Sequence, residues 1–189
     1  MREAARMLSA WNSFYVMMGS SAAALTGLVF IVITLIRDAN RGQTDTGIGT
    51  FTTPTVVHFS CVLFTSAVMS VPFPSLAPIA VILALAGIGG MFYMMLIARR
   101  QATLRTYRPD AEDWTWNVVL PFGAYVTLLA SAIAMHAASG ALYATAAAVA
   151  LLILVGIHNA WDVVTFLATG KVDELPDTPP SVIATKSDS

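Results

Sequence analysis

The segment His158-Asn159-Ala160-Trp161-Asp162 holds the side chains of this chain best suited to chemistry. His158, Asp162, Thr165 and Thr169 are spaced four, three and four residues apart, which sets them on one face of a helix. An imidazole beside a carboxylate is the usual hardware of proton transfer. Asp162 is the only acid within the long apolar blocks of the chain. A carboxylate buried in lipid without a partner costs on the order of several kcal/mol, so His158, one turn deeper, is its expected partner. His58, Asn117 and Asn159 reach a similar depth in their own blocks. These five residues, His58, Asn117, His158, Asn159 and Asp162, are the expected proton or ion path. His58, His158 and Asp162 can also fill three positions of a zinc site, but they lack a recognised ligand spacing, and no cofactor is expected. The plainer alternative is a structural network, with Asp162 paired to Arg99, Arg100 or Arg105 and His158 satisfying a buried hydroxyl or carbonyl.

The elements that must carry these groups are five apolar blocks, at about 11–36, 51–72, 76–98, 115–138 and 141–169. Each reaches the roughly 20 residues that a helix needs to cross a bilayer core. The expected fold is an all-α integral membrane bundle of five transmembrane helices, occupying residues 1–170. Residues 171–189, with Pro176, Pro179 and Pro180, read as a polar, disordered tail. Residues 1–10 read either as a surface amphipathic helix or as a disordered start. Pro54 is placed in the first turn of the second span, where a proline is favourable.

Composition narrows the function classes. The chain has 189 residues, is 57% hydrophobic and only 11% charged. Short loops leave no room for a separate soluble domain. A net charge of −1, with ten basic residues spread along the chain, argues against a nucleic-acid surface. The single cysteine, Cys61, excludes an intramolecular disulfide. The apolar run beginning near Trp11 continues well past Ala22-Ala23-Ala24, so it reads as an uncleaved span.

Lys and Arg set the expected orientation. Arg37, Arg41, Arg99, Arg100, Arg105, Arg108, Lys171 and Lys186 fall on one side of a five-span path, and Arg2 and Arg6 on the other. This places the N-terminus outside and the C-terminus in the cytoplasm. The alanine-rich composition points to a bacterial inner membrane.

Small residues mark expected packing positions. Gly19, Ala23 and Gly27 recur at intervals of four in span one, and Gly87 and Gly90 lie mid-span in span three. Small residues let helix backbones approach closely, either within the chain or across an oligomer interface. The expected partners are therefore the lipid bilayer and either a second copy or a membrane-complex subunit. Three functions follow: an oligomeric channel or transporter for protons or small ions, a non-catalytic accessory subunit, and a membrane-embedded metal or redox enzyme. The enzyme is the weakest of the three, because paired catalytic acids and a Cys-x-x-Cys pair are lacking.

Overall fold

A computed structural model describes residues 2–39, 48–103, 111–138 and 140–169. The expected tail, along with Arg41, Arg105, Arg108, Lys171 and Lys186, lies outside the described residues. The described residues are helical apart from short connections, with no strand among them. In order they form α1 (Arg2–Ala39), α2 (Ile48–Ser70), α3 (Ala77–Thr103), the short α4 (Ala111–Trp114), a π-helical turn (Thr115–Val119), α5 (Leu120–Ala134) and α6 (Ala141–Thr169). Five of these stretches are long and apolar enough to cross a membrane, with the π turn and α5 forming one together.

α1 is one continuous helix, so residues 2–10 do not form a separate surface segment. No proline or glycine interrupts the sequence before Gly19, and nothing else there stops a helix. Its buried face runs through Leu8, Tyr15, Ala22 and Val29, a repeat of seven. Seven residues are close to two full turns, whereas each step of four overshoots a turn by about 40°. Gly19 therefore faces α2, where a Cβ would meet the Ser66 Cβ at 3.0 Å. Ala23 and Gly27 rotate off that seam and are exposed, with nothing within 4 Å of a Cβ at Gly27. Thr26 and Thr34 bond back to the Ala22 and Phe30 carbonyls of their own helix.

Pro54 lies inside α2 rather than in its first turn, because the helix already begins at Ile48. The chain turns between α2 and α3 through Pro72 and Pro74, and between α5 and α6 through residues 135–140. We call the end carrying these two turns the hairpin end. The opposite end, where α3 stops after Arg99 and Arg100, is the basic end.

The helices do not pack in chain order. α1 packs on α2, α2 on α6, α6 on α5, and α5 on α3, while α2 and α3 barely touch despite their short connection. α6 is thus the central helix, and it carries His158, Asn159 and Asp162. Three close approaches hold the arrangement. Gly90 lies beneath the Tyr125 ring, so a Cβ there would overlap it. Gly156 receives the Phe59 ring of α2 in the same way. Gly87 brings α3 against the backbone of Leu129, at 3.0 Å from a built Cβ.

These approaches predict a paired result. Gly90→Ala should destabilise the bundle by about 1–3 kcal/mol through overpacking. Gly89→Ala, with nothing within 4 Å of the new methyl, should be close to neutral. Unfolding of both variants in the same detergent checks this, and equal stability would refute the packing account.

Candidate functional site

The five expected path residues do not gather into one cluster. They divide between two places, one at the basic end of α6 and one inside the bundle.

At the basic end, His158 Nε2 lies 3.2 Å from Asp162 Oδ2, one helical turn apart. The side chains are 27% and 57% exposed, so this pair stands at the margin of the bundle rather than in its centre. Partial exposure lets Asp162 keep its solvation. The Trp116 indole stacks on the His158 ring, with centroids 3.8 Å apart and planes inclined by 21°. Trp116 belongs to the π turn. There the Leu120 N–H bonds to the Thr115 carbonyl, five residues back. Pro121 follows at once, and a proline ring presses on the carbonyl four residues earlier, here that of Asn117. The widened turn accommodates that proline and presents Trp116 to α6. Asn117 is half-buried in the same turn. Thr165 donates to the Trp161 and Asp162 carbonyls, which fixes the helix just below the pair.

Inside the bundle, His58 is fully buried, and its Nδ1 lies 3.0 Å from the Tyr125 hydroxyl. The two rings are inclined by 49° with centroids 5.8 Å apart. Tyr125 reaches across from α5, and the Cys61 thiol sits beside its hydroxyl. His58 belongs to a set of buried polar side chains on one face of α2. Thr55, His58, Thr65 and Ser66 are all buried, with the apolar Val62 and Met69 continuing the same three-four spacing. Three atoms of this set, Thr55 Oγ1, His58 Nε2 and Ser66 Oγ, have no hydrogen-bond partner, while the Thr65 hydroxyl lies beside the Cys61 thiol. The Asn159 Oδ1 on α6 and the Tyr15 hydroxyl on α1 are buried and unpartnered as well. Serine and threonine hydroxyls in helices commonly bond back to their own carbonyls. Ser70, Thr127 and Thr145 do so here, whereas Thr55, Thr65 and Ser66 do not.

The expected set is therefore rearranged. His158 and Asp162 meet each other and Trp116. His58 meets Tyr125 instead. Asn159, although next to His158 in the chain, turns inward and is buried. His58 does not join His158 and Asp162 as a metal set, and no three His, Cys, Asp or Glu side chains gather among the described residues. Tyr125, Thr55 and Trp116 are additions to the site. The spacing of Thr55, His58, Thr65 and Ser66 on one face of span two signals the buried stripe. Tyr125 and Trp116 carry no comparable sequence signal.

Five apolar helices of this length suggest a multi-pass membrane protein. No protein-family profile, characterised protein or solved structure matches the chain.

Removing one partner of a buried hydrogen bond leaves the other unsatisfied, at about 1–3 kcal/mol. Tyr125→Phe should therefore destabilise the fold by that amount. Tyr143→Phe, at an exposed ring, should have little effect. Chemical or thermal unfolding in detergent measures both; a neutral Tyr125→Phe would mean that His58 does not depend on that hydroxyl.

Proposed function

We propose that the protein is an integral membrane protein that moves protons or small ions through the interior of its own bundle. The orientation that suits its basic residues puts the basic end in the cytoplasm and the N-terminus outside, in a bacterial inner membrane. The observation that carries this reading is His58. It is buried and bonded on one ring nitrogen to Tyr125, while the other nitrogen has no partner. Buried polar atoms without partners are few in folded proteins, and each is costly in an apolar interior. Here they line up along α2 from Thr55 to Ser66, a rise of about 16 Å at 1.5 Å per residue. Tyr15 stands near the hairpin end of that stripe, since Gly19 faces Ser66 and Tyr15 lies one turn further out. His158 and Asp162 supply an ionisable pair at the basic end. Stripe and pair together offer hydrogen-bonding groups through much of the bundle's depth.

A second reading, a non-catalytic accessory subunit, draws on the outward face of α1. Ala23, Gly27, Leu28, Phe30, Ile31 and Leu35 are exposed there and would accept lipid, another copy or a partner subunit.

The deciding experiment is proton flux into proteoliposomes carrying the wild type, His58→Gln or Asp162→Asn. The proposal expects flux above empty liposomes, reduced at least about tenfold by His58→Gln, since a positioned proton-transfer group contributes roughly 10²–10⁴-fold. Asp162→Asn should reduce it less, because that carboxylate is already half exposed. A folded wild type with no flux would set transport aside and favour the accessory subunit.

A further inference from the structure

Helix register places three of the unpartnered atoms within about one helical turn of each other along the bundle. Phe59 of α2 seats on Gly156 of α6, and the two helices run in opposite directions. Stepping one turn toward the basic end from this contact leads to Thr55 on α2 and to Asn159 on α6. Thr55 is four residues before Phe59 and shares its face, and Asn159 is three residues after Gly156. His58 is three residues from Thr55, so the two are neighbours on adjacent turns. Helical side chains tilt toward their own N-terminus. In α6 that direction is the hairpin end, so Asn159 leans toward the level of His58. Thr55, His58 and Asn159 are each at most 5% exposed, and Thr55 Oγ1, His58 Nε2 and Asn159 Oδ1 all lack a hydrogen-bond partner.

We propose that Thr55, His58 and Asn159 form an internal water site, and that the water held there hands protons between the basic end and His58. A buried water typically makes about three hydrogen bonds to polar groups that nothing else satisfies, and this trio offers three such atoms. The trio contains no carboxylate, so it favours a small neutral molecule over a desolvated cation. Water also suits His58 whichever way its ring is protonated. If Nδ1 donates to the Tyr125 oxygen, Nε2 accepts from water. If the Tyr125 hydroxyl donates to Nδ1, the Nε2 N–H donates to water. In either case Asn159 Oδ1 accepts, and the Thr55 hydroxyl can donate or accept. Thr55 and Asn159 are then positioning residues that act through the water. The water site stands on the unpartnered atoms alone, whereas its place in proton movement rests on the transport reading above.

Two readouts separate these claims. In ¹⁵N-histidine protein reconstituted in lipid, water-edited solid-state NMR should show rapid magnetisation transfer from water to the His58 ring nitrogens. Thr55→Val, which keeps the side-chain size, and Asn159→Leu should each slow that transfer severalfold and leave the helical content unchanged. Slow transfer in the wild type, which needs no variant, would overturn the water site. So would transfer insensitive to both substitutions. Proton flux in the same proteoliposomes should fall at least about tenfold with Thr55→Val. Normal flux from a Thr55→Val protein that has lost the water contact would overturn the hand-over. Absence of flux in the wild type would instead overturn the transport reading, with the NMR result still deciding the water site.

Discussion

The seat of Tyr125 against Gly90 is the contact on which the rest of this bundle depends. Helices surrounded by lipid gain little from the hydrophobic effect, so they hold together by close packing and by polar contacts. Gly90 leaves room for an aromatic ring from α5 against α3, where a Cβ would overlap it. The same ring carries its hydroxyl past α3 to His58 on α2. One residue of α5 therefore meets both α3 and α2, and it sets the direction of the only fully buried imidazole described. The Phe59 and Gly156 contact does the parallel job between α2 and α6. With these two seats in place, α6 packs between α2 and α5, and the register of α2 against α6 brings Thr55, His58 and Asn159 within about one helical turn of the same depth.

The interior this creates is unusual in its chemistry. Its outer surface is apolar, with Phe30, Ile31, Phe92 and Ile133 among the large exposed side chains. Its inside holds Tyr15, Thr55, His58, Ser66, Tyr93 and Asn159 with atoms that no protein group satisfies. By contrast, the Ser131 and Thr145 hydroxyls near the hairpin end meet at 2.9 Å and are served by helix carbonyls. The unsatisfied groups thus belong mainly to α2 and its neighbours rather than being scattered. The π turn before Pro121 adds a second departure from regular helix, and wide turns of this kind are frequent at functional sites. Its consequence is concrete, since it lays Trp116 over His158.

The contact between His158 and Asp162 was legible from spacing alone, because four residues is one helical turn whatever surrounds it. The grouping of His58 and Asn159 with that pair was not. His158 and Asn159 are adjacent, yet a step of about 100° sends one toward the margin and the other into the interior. Of Gly19, Ala23 and Gly27, only Gly19 meets another helix of the chain, as a repeat of four drifts around the helix while the buried face of α1 follows a repeat of seven. Pro54 reads as a helix start only if the helix begins there, and α2 begins six residues earlier.

Hydropathy and residue spacing are enough to fix the number of long apolar helices, their approximate limits and the contacts one turn apart within each of them. These depend on side-chain hydropathy and on the 3.6-residue period, both of which are local properties. That α6 packs between α2 and α5 and that His58 turns to Tyr125 are settled instead by packing between helices. Those outcomes rest on which glycine accepts which ring, and that choice is made between helices far apart in the chain.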